Sequence, residues 1–116
     1  MKHISVLVPS GHSIVDTIIA PFNMLGMANA HFRRLKGLAS DPFRIDLVGM
    51  TKDPVTYQGL FSVQPTSTIH EIQKTDLIII SPISGDLESQ IQKNMDFVEW
   101  IKVQRIQNGS ELASLC

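Results

Sequence analysis

The sequence has few cysteines, few aromatic residues and almost no net charge. Its single cysteine excludes an internal disulfide and a zinc site built from several thiolates. The formal net charge of −1 predicts no basic surface for nucleic acid, so these residues are not expected to bind DNA by themselves. No apolar run approaches the about 18 residues that cross a bilayer. Pro9 and Gly11 also interrupt the first apolar run too early for a signal peptide. We therefore expect a cytoplasmic protein with no membrane partner.

The apolar runs predict an α/β protein. Residues 4–8 and 76–81 are nearly continuous aliphatic segments, which is typical of parallel strands buried on both faces. Residues 43–50 alternate between apolar and polar side chains and predict another strand. With 116 residues, 43% of them hydrophobic, the chain is long enough for one domain with a sizeable core.

A helix between the first two strands is predicted from about Pro21, because proline suits a first helical turn. Residues 14–19 are either an irregular lead-in or an earlier turn of this helix. Cationic residues in the last turn and Gly37 after it are typical of a helix end. We expect Met24, Met27 and Met50 to fill the core. The expected buried face consists of Pro21, Leu25, Ala28, Phe32 and Leu35.

The second half of the chain predicts shorter elements. Residues 54–66 indicate two extended pieces around a turn at the sheet edge, and Thr68 with Glu71 has the spacing of a helix capping box. Asp86 and Asn94 are expected to cap helices over 87–93 and 95–107. The apolar segment 111–116 is then a terminal strand. This order of elements predicts an open parallel sheet with helices packed on it.

Ligands of open α/β sheets bind beyond the carboxyl ends of the strands. That rule brings together the loop after the first strand, the loop over 82–86 and the terminal Cys116. Backbone amides beside a glycine can approach an oxyanion, and a loop histidine can bind a ligand or act as a base. The predicted ligand-binding residues are therefore Ser10, Gly11, His12, Ser84 and Gly85.

Cys116 and Asp16 are the candidate catalytic residues. A strand-end thiol is active if a helix terminus, a cation or an acid partner lowers its pKa, but a lone cysteine is also often a small buried hydrophobe. Asp16 is the nearest acid and could hydrogen-bond the thiol, or it could simply lead a helix. His3, His31 and His70 are dispersed, so we expect no metal site. No cofactor motif is present.

Several motifs resemble the ThiJ/PfpI (class I glutamine amidotransferase-like) superfamily. These motifs are Val6-Leu7-Val8-Pro9, Ile19-Ala20-Pro21-Phe22, Ala28-Asn29, Asp76-Leu77-Ile78-Ile79-Ile80, Gly85-Asp86, Trp100-Ile101 and Gly109-Ser110-Glu111-Leu112-Ala113-Ser114-Leu115-Cys116. The Ala-Ser-Leu-Cys ending is most similar to the branch that forms the N-terminal sensor half of AraC-type transcriptional regulators.

The resemblance implies a flavodoxin-like sheet with helices on both faces, frequent homodimers, and a pocket at a strand-to-helix elbow. Cys116 matches the elbow nucleophile, Gly85 lies in the loop that supplies an oxyanion contact, and Asp16 falls near the acid position. In the family, the domain continues after the elbow cysteine. We therefore expect residues 1–116 to be the N-terminal portion of one ThiJ/PfpI-like domain, with a helix-turn-helix domain downstream.

Three functions remain open at this point. The chain is the dimerising sensor domain of an AraC-type regulator, which binds a small-molecule effector and contacts DNA only through the downstream domain. Alternatively, it belongs to an enzyme of the same superfamily, such as a hydratase, amidase or glyoxalase-like protein, with Cys116 as nucleophile. In the third case it is an α/β interaction fragment with a structural cysteine.

Overall fold

The computed structural model describes residues 1–115, so Cys116 lies outside the described residues. The strands are β1 (Lys2–Leu7), β2 (Phe43–Gly49), β3 (Val55–Tyr57), β4 (Phe61–Val63), β5 (Ser67–Thr68), β6 (Leu77–Ile80) and β7 (Glu111–Ser114). The helices are α1 (Asp16–Lys36), α2 (Leu87–Lys93) and α3 (Met95–Asn108). No helix within this described range is long and apolar enough to cross a membrane.

The centre of the fold is a five-stranded parallel sheet in the order β5-β2-β1-β6-β7. The step from β1 to β2 and the step from β6 to β7 run in opposite directions across this sheet. Because such crossovers are right-handed, α1 lies on one face and α2 and α3 lie on the other. The predicted open parallel sheet with helices on both faces is therefore confirmed.

Each face of the sheet has its own apolar core. On the α1 face, Val6 and Ile79 pack with Ile18 of the helix. On the opposite face, Leu7 and Ile78 pack with α3. The only tryptophan of the sequence, Trp100, lies in this second core and donates its indole N–H to the Ile72 carbonyl at 3.2 Å. Alternate residues of β1 and β6 thus serve opposite faces, as the strand period requires.

Helix α1 begins at Asp16 rather than at Pro21, so residues 16–19 form an earlier helical turn. Pro21 lacks an N–H, which leaves the carbonyl of Thr17 without its helical donor. The hydroxyl of Ser81, just after β6, donates to this carbonyl at 3.2 Å. The helix therefore tolerates an internal proline because the neighbouring strand supplies the missing hydrogen bond.

The outer surface of α1 differs from the prediction. Leu25 packs against the first core, but Phe32 and Leu35 are exposed. Met24 and Met27, which were expected to fill the core, are 69% and 72% exposed. The predicted burial was wrong at these positions because the inward face of α1 is formed mainly by residues around Ile18, Phe22 and Asn29, and neither methionine packs against the core.

The segment between β2 and β6 holds two further differences. The two extended pieces form the hairpin β3–β4, which is a separate two-stranded antiparallel sheet. Thr68 and Glu71 make the capping contacts at 3.3 Å, but the residues that follow form a turn and not a helix. The predicted helix was wrong because Ser67 and Thr68 pair with β2 as a short parallel strand, which leaves too few residues before Leu77.

At the amino edge of the sheet, several polar side chains converge on the buried carboxylate of Asp46. His3 Nε2 and Arg44 Nε lie 2.8 and 2.9 Å from Asp46 Oδ2, and the Thr66 hydroxyl donates to Oδ1 at 2.8 Å. Burial opposes ionisation, but the hydrogen bonds with His3 and Thr66, with the charge of Arg44, outweigh it and lower the pKa of Asp46. A carboxylate is therefore stabilised inside the fold.

Asp46→Asn is expected to lower the free energy of unfolding by about 2 kcal/mol near neutral pH, because the charge on which these donors converge is removed. The pKa of Asp46 is depressed in the folded state. Its charge therefore stabilises the fold above the ordinary aspartate pKa, and this contribution is lost as the pH falls through the depressed value. Urea denaturation of both proteins across this range should show the difference narrowing towards acid.

The exposed Asp53 provides the matched control, since no ion pair of its carboxylate is seen among residues 1–115. Asp53→Asn should leave the free energy of unfolding nearly unchanged at every pH. A constant difference between wild type and Asp46→Asn would contradict the assigned role of the carboxylate.

Candidate functional site

The loops that follow β1 and β6 meet at the carboxyl edge of the sheet. Ser13 and Ile83 form an antiparallel bridge, and the amide of Ser84 donates to the carbonyl of His12 at 3.2 Å. The hydroxyl of Ser13 donates to the carbonyl of Pro82 at 2.8 Å. The sheet therefore brings the two predicted loops into direct contact with each other.

The loop that follows β1, called the first loop here, is held by two buried amide side chains, Gln90 in α2 and Asn94 directly after α2. Gln90 is 2% exposed, and its Oε1 accepts the amide hydrogen of His12 at 3.1 Å. Asn94 Oδ1 accepts from the amide of Ser10 at 2.8 Å, and Asn94 Nδ2 donates to the Ser10 carbonyl at 3.0 Å. These contacts fix the loop backbone on the α2 side of the sheet.

Asn94 was predicted to cap α3, but its side chain makes no capping hydrogen bond there. Its amide group is used by Ser10 and by the Gln90 carbonyl instead. The prediction for Asp86 is confirmed, because its carboxylate accepts the Ser89 amide hydrogen at the start of α2.

Gly11 and Gly85 both have a φ of +90°, which lets the two loops approach the side chain of Gln90. A Cβ atom on Gly11 would collide with Gln90 Oε1. A Cβ atom on Gly85 would lie 3.6 Å from His12 Cδ2, which is ordinary contact. Gly11 is thus required by both backbone conformation and space, and Gly85 by backbone conformation alone.

The β3–β4 hairpin supports the same loop from the α1 side. Tyr57 is buried, and its hydroxyl donates to the carbonyl of Pro9 at 2.6 Å. Burial raises the pKa of Tyr57 far above its ordinary value, so the phenol stays protonated and remains a donor. This anchor links a segment distant in sequence to the residues that follow β1.

The terminal strand reaches the same edge. Strand β7 pairs parallel with β6, and the amide of Leu115 extends the pairing to the carbonyl of Ile80 at 3.0 Å. Cys116, the predicted elbow thiol, follows directly but lies outside the described residues. Its reactivity stays a prediction.

Asp16 and Leu115 line one apolar groove of about 630 Å³ between α1 and the β6–β7 pair. The groove is lined by Asp16, Thr17, Ala20, Pro21, Met24, Leu25, Ile79 and Leu115. Among these lining residues Asp16 is the only ionisable one. The groove therefore favours an apolar ligand with one polar contact at the first turn of α1.

A second, smaller cavity of about 120 Å³ lies on the opposite face, beneath the joined loops. Its lining is formed by Leu7, Pro9, Ile80, Ser81, Ile83, Ile91, Asn94, Phe97, Val98 and Ile101. The two polar side chains in this lining, Ser81 and Asn94, direct their hydrogen bonds to the backbone of α1, α2 and the first loop. The surface of this cavity is therefore almost entirely apolar.

The structure brings the predicted ligand-binding residues together and places the predicted catalytic residue Asp16 apart from them. Ser10, Gly11, His12, Ser84 and Gly85 lie in the two joined loops, and Asp16 lies at the start of α1 on the groove side. Their roles in binding stay predictions. Residues 1–115 hold no group of three or more His, Cys, Asp or Glu side chains placed to bind a metal ion.

Sequence reasoning missed Gln90, Tyr57 and the contact of Asn94 with Ser10. The one signal in the sequence is that Gln90 and Asn94 are spaced four residues apart and so share a helix face.

No model of a known protein family matches the sequence, and no curated protein matches it. Solved structures do match in three dimensions. A candidate transcriptional regulator from Vibrio parahaemolyticus superposes with a TM-score of 0.70 at 24% identity, over 97% of this chain and 55% of that one. A ThiJ/PfpI family protein from Pseudomonas syringae gives 0.70 at 17% identity, over 99% and 42%.

An AraC family transcriptional regulator from Pseudomonas putida matches with a TM-score of 0.54 at 10% identity, over 98% of this chain and 64% of that one. The chain thus spans about half the length of the first of these structures. The resemblance drawn from the sequence motifs is confirmed at the level of the fold.

Gly11→Ala is expected to destabilise the protein more than Gly85→Ala. Both substitutions place alanine at a φ of +90°, which costs about 1–2 kcal/mol. Only Gly11→Ala also displaces Gln90 and breaks its bond with His12, which adds about 1–3 kcal/mol. The free energy of unfolding of the two variants in urea measures the difference. Equal losses would contradict the role assigned to Gln90.

Proposed function

We propose that this chain, which has the fold of ThiJ/PfpI and DJ-1 superfamily proteins, is the small-molecule-sensing and dimerising domain of an AraC-type transcriptional regulator. DNA contact would come from a further domain of the complete protein, since residues 1–116 carry a net charge of −1. The effector would bind at the carboxyl edge of the sheet.

The observation that carries this proposal is the apolar groove between α1 and β7. Its volume of about 630 Å³ falls within the about 300–1,000 Å³ of ligand pockets. Acid–base chemistry needs several polar groups at the reacting atoms, whereas Asp16 is the one ionisable residue in the described lining. This composition favours binding of an apolar effector over turnover.

The loop after β1 leads directly into Asp16 of the groove, so the joined loops would connect the site to the rest of the domain. Gln90 and Asn94 connect the first loop to α2 and to the start of α3, and Tyr57 connects it to the hairpin. A ligand that shifts this loop would therefore displace elements on both faces of the sheet. Such coupling is what a sensor domain requires.

An enzyme of the same superfamily is the second candidate. It is favoured by one observation, the position of Asp16 in the same groove as Leu115, the neighbour of Cys116. An acid beside the thiol could accept or donate its proton during covalent catalysis. Under this alternative Cys116 is the nucleophile.

Leu115→Trp is expected to fill the groove and to weaken ligand binding there at least about tenfold. The probe is the uncharged apolar dye Nile red, and the measurement is its fluorescence titration with the complete protein. Leu112→Trp is the matched control, because Leu112 lies in β7, three residues before Leu115, and is not among the residues that line the groove. Equal affinities for both variants would place the apolar binding surface elsewhere.

Two measurements distinguish a regulator from an enzyme, namely the selection of a specific DNA sequence and the effect of replacing Cys116. As a regulator, the complete protein should select a specific sequence from random DNA, and Cys116→Ala should keep that selection. As an enzyme, it should hydrolyse or hydrate a small substrate, and Cys116→Ala should abolish turnover. Failure to select any DNA sequence would overturn the regulatory proposal.

A further inference from the structure

The small cavity beneath the joined loops is separate from the groove on the α1 face. Its volume is about 120 Å³, and no residue lines both the cavity and the groove. Leu7 and Ile80 line the cavity. Val6 and Ile79, their neighbours along the strands, belong to the core on the α1 face. Because side chains alternate between the faces of a sheet, the sheet itself divides the two spaces.

The walls of the cavity come from four parts of the chain. Pro9 and Ile83 lie in the two joined loops, and Ile91 lies in α2. Phe97 of α3 is 3% exposed and forms a deep wall, whereas Ile91 is 41% exposed. The cavity therefore reaches the surface beside α2, where a ligand could enter without unfolding of the domain.

The polar side chains in the lining leave little for water to bind. The Ser81 hydroxyl donates to the carbonyl of Thr17, and the amide group of Asn94 is used by the backbone of Ser10 and Gln90. A buried water molecule needs about two to four polar partners. The cavity is therefore dry, and its apolar walls lack contacts that a ligand could supply.

We infer that this cavity binds a small, uncharged aromatic molecule of about the size of toluene. A dry cavity of about 150 Å³ lined by aliphatic and aromatic side chains accepts benzene. The 120 Å³ measured here is of the same order. An aromatic ligand also gains a contact with the ring of Phe97. No lining residue is ionisable, so a charged ligand would lose its hydration without gaining a partner.

Occupancy of the cavity would be transmitted to the first loop. Asn94 lines the cavity and holds the backbone of Ser10 with two hydrogen bonds. Pro9, which precedes Ser10, lines the cavity as well. A ligand that packs on Pro9 and Asn94 would therefore stabilise the folded arrangement of the loop on α2 and α3 through the free energy of its binding.

The first test is a titration of the complete protein with toluene, followed by the NMR shifts of its isoleucine methyl groups. Ile106, which is 80% exposed on α3 and lies outside the lining, should not shift. N-methylpyridinium has the shape of toluene but carries a charge, so it should bind at least about 100-fold more weakly. Saturable shifts are expected at the isoleucines of the lining, Ile80, Ile83, Ile91 and Ile101.

The second test blocks the cavity by substitution. Ile91→Trp should close the mouth and weaken toluene binding at least about tenfold. Ile106→Trp, the same substitution outside the lining, is the matched control and should leave the affinity unchanged. Val98→Phe should fill the cavity from α3 and also abolish the shifts. Leu115→Trp should leave them unchanged, because Leu115 lines only the groove.

Four results would overturn the inference. The lining isoleucines could show no saturable shift, as when another segment of the complete protein fills the cavity. N-methylpyridinium could bind as tightly as toluene, Ile91→Trp could keep full affinity, or Leu115→Trp could abolish toluene binding and so place it in the groove. The methyl spectrum without toluene shows whether each variant is folded. The inference goes beyond the proposed function, which Nile red binding and DNA selection test separately.

Discussion

The central position of β1 constrains the rest of the fold. This strand pairs with β2 on one side and β6 on the other, and Val6 and Leu7, which face opposite sides of the sheet, are both buried. A parallel strand that is hydrophobic on both faces must be covered on both. The two crossovers achieve this by leaving β1 and β6 in opposite directions, so that α1 and α3 lie on different faces.

The same constraint creates the site. Because the strands are parallel, the loops after β1 and β6 and the end of β7 all emerge at one edge. The loops are then held by contacts from elements distant in the sequence, namely Gln90, Asn94 and Tyr57. The edge therefore combines a fixed loop backbone with an apolar groove beside it.

The sheet could be predicted from the sequence because its central strands are continuous aliphatic runs, as in residues 76–81. The meeting of the two loops could be predicted as well, since it follows from parallel pairing. The buried face of α1 could not. Its sequence is apolar on almost every side, so periodicity alone did not separate Leu25, which packs on the sheet, from Met24, which does not.

The contacts of Gln90 and Asn94 with the loop after β1 could not be predicted from the sequence either. A glutamine in a polar helix has no local feature that marks it as buried, and the partner of Gln90 lies 78 residues away. Asn94 was misread because a residue that precedes a helix usually caps it. Its amide instead binds Ser10, 84 residues away. Side-chain contacts over such separations depend on the completed packing.

The placement of the aromatic residues has a practical consequence. The chain contains one tryptophan and one tyrosine, and they lie in the cores on opposite faces of the sheet. Trp100 emission therefore monitors the layer formed by α3, and Tyr57 absorbance monitors the layer formed by the hairpin and α1. The protein carries a separate natural chromophore in each half of its interior. The order in which the two halves assemble can be followed without attaching a label.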